Sequence, residues 1–129
     1  MTYAEVSEGI RSTIAAYAQA LDDGRTDDVV ATFCADGVME IPDSGTFEGH
    51  SAIRATYAGF EPTRPQRHMV VNTVVTDWDD QRATAISDFV FVQKGKSGWA
   101  IRLVGRYHDT LENMDGTWRF RRRAMRFEN

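Results

Sequence analysis

A single cysteine, Cys34, in 129 residues excludes an intrachain disulfide and any cysteine-based metal cluster. The three histidines, His50, His68 and His108, are scattered without metal-ligand spacing. No apolar run approaches the ~18 residues of a membrane span. Met1-Thr2-Tyr3-Ala4-Glu5 lacks the basic and apolar regions of a signal peptide. Neither a glycine-rich phosphate loop nor a Gly-x-Ser-x-Gly elbow is present. Basic residues are also short: 15 Lys+Arg stand against 19 Asp+Glu, a net charge of −4, which argues against a nucleic-acid partner. What remains has the balance of an ordinary soluble protein, 42% hydrophobic and 26% charged. The expectation is a cytoplasmic protein without a membrane partner, formed as a single domain over residues 1–129.

The pattern changes period about halfway. Val6, Ile10, Ile14, Tyr17 and Leu21 fall on one helical stripe, which Gly24 closes. Thr26 offers a cap to a second, short helix, with Asp27 and Asp28 favoured in its first turn. Val38-Met39-Glu40-Ile41 reads as a strand stopped by Pro42, and Thr46-Phe47-Glu48 as a small returning strand. Ser51 suits the cap of a third helix from Ala52 to about Tyr57, and residues 58–66 form a loop with Gly59, Pro62 and Pro65. Beyond it, alternation predicts strands near 67–76, 82–93, 99–112 and 117–127, separated by hairpin signals and therefore consecutive and antiparallel. Helices first and a meander second argue an α+β fold, with helices on one face of a curved sheet.

Several polar groups fall where this pattern places the interior. Tyr17 lies on the helical stripe, and Asp22 follows it by five residues at the helix end. His68 shares strand parity with Val70, Asn72 and Val74; Asp88 shares it with Ile86, Val90 and Val92. Arg121-Arg122-Arg123 occupy successive strand positions, so at least one points inward and needs a carboxylate or an anionic ligand. Each has a structural reading beside the chemical one: a satisfied core tyrosine, a turn aspartate, a structural histidine, an internal ion pair. His108 shares parity with Arg102, Arg106 and Glu112 and faces outward, opposite Leu103, Gly105, Tyr107 and Leu111.

Six segments in order carry a resemblance. They are Ile14-Ala15-Ala16-Tyr17 leading to Leu21-Asp22-Asp23-Gly24; Phe33-Cys34-Ala35-Asp36-Gly37-Val38; Phe47-Glu48-Gly49-His50-Ser51-Ala52-Ile53-Arg54; Arg67-His68-Met69-Val70-Val71-Asn72; Gly105-Arg106-Tyr107; and Asp115-Gly116-Thr117-Trp118-Arg119-Phe120. Over nearly its whole length the chain resembles the nuclear-transport-factor-2-like superfamily, most closely its SnoaL-like branch. The resemblance implies a cone-shaped, cystatin-like roll: N-terminal helices on a strongly curved antiparallel sheet around a pocket.

Fold does not settle activity, because this superfamily holds dehydratases, isomerases, cyclases and proteins without catalysis. Members resembling scytalone dehydratase and lindane dehydrochlorinase use a histidine paired with an aspartate, which aligns with His68 and Asp22 here. Those resembling bile-acid 7α-dehydratase add a tyrosine and a last-strand arginine, which align with Tyr17 and, less closely in register, Arg123. The ketosteroid isomerase base aligns with Ile41, which takes no proton, and that argues against its mechanism.

The resemblance therefore implies a lyase or isomerase that abstracts a proton next to a carbonyl or leaving group. His68 is the base, Asp22 holds its tautomer, and Tyr17 and Arg123 stabilise developing negative charge. Asn72 orients the substrate; Val70, Phe33, Val38, Met39, Trp118 and Phe120 form an apolar wall, with Phe60 over the mouth. The substrate is a small, largely apolar, oxygenated molecule of polyketide or steroid-like kind. No metal and no cofactor are needed, and the sheet's outer face forms a homodimer. The alternatives are a non-catalytic cone that binds a small hydrophobic ligand or dimerises, or an accessory subunit.

Overall fold

A computed structural model describes residues 1–128; Asn129, the end of the expected domain, lies outside them. Helix α1 spans Tyr3–Asp22. Thr2 caps it, its hydroxyl accepting from the Glu5 backbone N–H, and the predicted stripe Val6, Ile10, Ile14, Tyr17, Leu21 is buried along its length. Gly24, at φ 73°, supplies the left-handed turn after it. Helix α2 covers Thr26–Ala31 and α3 His50–Ala58. Thr26 and Ser51 thus lie inside their helices, whose caps are Arg25 and Gly49.

Six strands follow the predicted order: β1 Phe33–Ile41, β2 Gly45–Glu48, β3 Gln66–Trp78, β4 Arg82–Gly95, β5 Gly98–Met114 and β6 Thr117–Glu128. They form one curved, unclosed sheet in the order β2-β1-β6-β5-β4-β3. The meander β3–β6 is antiparallel, as the hairpin signals require. The β1–β6 pair is parallel, because the chain reaches β6 only after running through the whole meander. Helix α1 lies across the inner face, packing on β3 and β6, so the core fills the space between helices and sheet. No described helix is long and apolar enough to cross a membrane.

Three irregularities decide which side chains face inward. In β3, Asn72 adopts φ 56° and the register with β4 shifts between Val71 and Val74. In β6, the register with β5 shifts at Thr110/Leu111, so Phe120 and Arg123 both face inward. In β1, the register with β6 shifts between Phe33 and Val38, after which Met39 and Ile41 face the core.

Candidate functional site

The end of α1 and the start of β3 meet at one carboxylate. Asp22 occupies the C-terminal end of α1, where the helix dipole disfavours negative charge. Three donors offset this. The His68 backbone N–H donates to Oδ2 at 2.7 Å, the His68 Nδ1–H to Oδ1 at 2.7 Å, and the Gln66 side-chain amide to Oδ1 at 3.2 Å. The Asp22 side chain is only 4% exposed and that of His68 14%. An ionised carboxylate accepts only, so the proton of the neutral imidazole sits on Nδ1 and leaves Nε2 bare. The ring lies against Phe91, centroid to centroid 4.6 Å.

His68 lines a cavity of about 440 Å³. Its apolar walls include Leu21, Ile41, Phe89, Phe91, Leu103 and Met125, and Phe60 and Pro62 stand in the connection after α3. Its polar groups include Tyr17, Tyr57, Tyr107, Gln66 and Gln93, and Glu61 is the one carboxylate among the described lining residues. Among the described residues, no Lys or Arg lines it. The Tyr17 and Tyr57 hydroxyls hydrogen-bond each other, and their rings meet edge to face at 5.8 Å. Burial holds the Tyr17, Tyr57 and Tyr107 hydroxyls well above the usual phenol value, so all three are neutral donors.

Beneath the tyrosines lies a fully buried ion pair. Arg123 Nε donates to Asp109 Oδ1 at 2.9 Å and Nη2 to Oδ2 at 3.2 Å, with both side chains at 0% exposure. The guanidinium stacks 3.5 Å from the Tyr107 ring and 4.3 Å from the Tyr17 ring. Burial pushes the Asp109 carboxyl upward, against the pull of Arg123. Among the described residues, no group of three His, Cys, Asp or Glu is arranged to hold a metal ion.

A cavity lies between the helices and a bent six-stranded sheet, and the sequence names the family. The family model described as a SnoaL-like domain matches residues 2–124. The chain belongs to the SnoaL-like family. Solved structures repeat the fold. A protein of unknown function from Mycobacterium tuberculosis is 24% identical, covers 99% of this chain and 79% of its own, and superposes with a TM-score of 0.89. A "putative scytalone dehydratase" from Novosphingobium aromaticivorans is 22% identical over 95% of this chain and 84% of its own, TM-score 0.84. An NTF2-like protein with a cystatin-like fold from the same organism is 23% identical over 95% and 82%, TM-score 0.84. No curated protein matches in sequence.

Within this SnoaL-like chain, Tyr17, His68 and Phe60 line the cavity, and Asp22 stands directly behind His68. The other expected site residues lie elsewhere. Arg123 faces inward but sits behind Tyr17 and Tyr107, paired with Asp109. Asn72 shares parity with His68, yet its left-handed backbone turns it out to Asp88, to which its amide donates at 3.3 Å. Val70 lines a second groove, which His68 also borders, against Arg11 and Ile14 of α1. Phe33, Met39 and Phe120 are core beyond the cavity wall; the Phe33 and Phe120 rings pack on Tyr17 at 6.3 and 5.8 Å. Val38 has the parity opposite to Met39 and Ile41 and is only half-buried. Trp118 packs against Gly9 on α1, where a Cβ would lie 2.5 Å from its ring. Asp88 is on the outer face, paired with Arg106 at 2.7 Å, because Ala85, Ser87 and Phe89 take the inner parity of β4.

Sequence reasoning missed Asp109, Tyr57 and Gln66 as site residues. Asp109 had a signal: it shares the inward parity of Tyr107 and Leu111. Tyr57, at the end of α3, had none beyond its position.

Proposed function

We propose that this chain is a small-molecule lyase or isomerase, dehydratase-like, that abstracts a proton from carbon next to a carbonyl or leaving group. The observation that carries this reading is the His68 ring: its Nδ1–H is fixed on Asp22 and its bare Nε2 belongs to a ring on an apolar cavity wall. Nε2 accepts the proton, and the Asp22 carboxylate stabilises the imidazolium that forms. The Tyr17–Tyr57 pair donates to the oxygen on which charge develops. Arg123 contributes charge from behind the tyrosines and touches no substrate.

The substrate is a small, apolar, oxygenated and uncharged molecule, because no Lys or Arg among the described residues lines the cavity to receive an anion. The family match and the dehydratase-named structural neighbour agree with lyase or isomerase chemistry. The test is hydrogen–deuterium exchange at the α-carbon of α-tetralone, a bicyclic ketone, followed by mass spectrometry. The native protein accelerates exchange, and His68→Ala and Asp22→Asn each lower the rate by at least about a hundredfold. Full exchange in both variants overturns the reading.

The chain also forms a homodimer through the outer sheet face. Met69, Val71, Ile101 and Val104 are exposed there, with Val90 paired to both Met69 and Val104. Light scattering at micromolar concentration returns twice the chain mass; a monomer refutes it.

A further inference from the structure

The proton-abstraction reading leaves one buried phenol without a task. Tyr107 is 1% exposed and lines the cavity. Its hydroxyl makes no hydrogen bond among the described residues. On a residue that lines the cavity, such a hydroxyl is available to a bound molecule. The Tyr17 and Tyr57 hydroxyls differ: one donates to the other, so the pair holds a single free O–H, which the reading above assigns to the oxygen on which charge develops.

The surroundings of Tyr107 fix its ring on both faces. Phe89 stacks on one side, centroids 4.3 Å apart at an interplanar angle of 20°. The Arg123 guanidinium lies 3.5 Å from the ring centre, and its Nη1 has no hydrogen-bond partner. A positive charge over a phenol favours the electron density that the ring gains when its O–H bond breaks. Phe89 also links this phenol to the base, since its ring is 6.2 Å from that of His68. Base and phenol thus flank the same wall of the cavity.

We infer that Tyr107 is the proton donor to the departing oxygen, while His68 removes the proton from carbon. This rests on the proton-abstraction reading. The step balances without a co-reactant. The C–H bond breaks toward His68 Nε2, its electron pair becomes the C=C bond, and the C–O bond breaks. The Tyr107 proton passes to the leaving oxygen, giving water or an alcohol. The imidazolium then loses its proton to solvent, and the phenolate regains one as product leaves. Burial keeps the phenol protonated across the working pH range, and an alkoxide departing from carbon is the stronger base that takes its proton. Arg123 is a positioning residue here, holding the ring and opposing the transient charge.

The test uses a series of 4-alkoxybutan-2-ones whose leaving alcohols run from 2,2,2-trifluoroethanol to ethanol. A good leaving group departs with little protonation; a poor one needs the donor. Tyr107→Phe therefore loses under about tenfold in kcat/KM on the trifluoroethyl ether and at least about a hundredfold on the ethyl ether. A 3-fluorotyrosine at position 107, which keeps the ring and the packing, flattens the dependence on leaving group. Equal losses along the series in Tyr107→Phe, or a steepened dependence in Tyr17→Phe instead, overturn the assignment of Tyr107 while leaving His68 as base. No elimination by the native protein, or undiminished elimination by His68→Ala, overturns the proton-abstraction reading itself.

Discussion

Asp22 holds His68 twice, its two carboxylate oxygens accepting from the ring Nδ1–H and from the backbone N–H, each at 2.7 Å. The pair therefore fixes the tautomer and the entry of β3 together. Asp22→Asn keeps the shape but offers one carbonyl oxygen where two acceptors stood, so one of these donors loses its partner. The expected result is a mixed tautomer, read as convergence of the two ring ¹⁵N shifts of His68. The native protein shows well-separated shifts, with the bare nitrogen at Nε2. Native tautomer purity in Asp22→Asn would refute the orienting role.

A pH dependence arises on the sheet's outer side. Glu112 accepts from Arg121 Nε and Nη2 and from Arg82 Nη2, and these hydrogen bonds, with Arg121 first, hold its carboxyl down at about 2 from 4.5. A carboxyl depressed in the folded state stabilises the fold above its unfolded value, and that stability is lost as pH falls toward about 2. Arg82 is 62% exposed, so screening limits the contribution to about 1–2 kcal/mol. Urea unfolding from pH 6 down to about pH 2.5 should show the native protein losing this increment relative to Glu112→Gln. Parallel curves refute it.

How much of this was legible depended on which side chains sit past an irregularity. The stripe on α1 and the pairing order of β3–β6 follow from regular periods, and the structure reproduces both. His68 precedes the bulge in β3, so its parity reads correctly; Asn72 is the bulge residue and its parity does not. The same holds in β6. Strict alternation from Phe120 points Arg122 inward, and only the shift opposite Thr110/Leu111 brings Arg123 there. Asp88 failed for another reason. Both faces of β4 carry apolar residues, so alternation alone does not say which face is covered by helices.

The Arg123–Asp109 pair gives a stability prediction of known sign. Both groups are fully buried, so removing one leaves the other charged and unpaired. Asp109→Ala is expected to cost about 3–5 kcal/mol in urea unfolding. Joint replacement, Asp109→Val with Arg123→Met, is expected to recover most of that loss, since two apolar side chains of similar volume need no partner. A double variant as unstable as the single one would show that the pair is irreplaceable where it lies.

Gly105 tests how tightly the Tyr107 wall is packed. It faces inward on β5, paired with Phe89 on β4. A Cβ added there would lie 2.4 Å from two atoms of the Phe89 ring and 2.8 Å from the Arg126 carbonyl oxygen. The carbonyl belongs to the β5–β6 ladder and cannot retreat, so relief must come from Phe89. That ring is stacked at 4.3 Å on Tyr107, and moving it disturbs the wall that carries both the phenol and the neighbouring His68. Gly105→Ala is therefore expected to cost about 1–3 kcal/mol of stability, the usual range for overpacking. It should also slow exchange of α-tetralone at temperatures where the variant remains folded. Loss of stability with native exchange kinetics would show that Phe89 moves without carrying Tyr107 or His68 along, and would uncouple the packing of this wall from its chemistry.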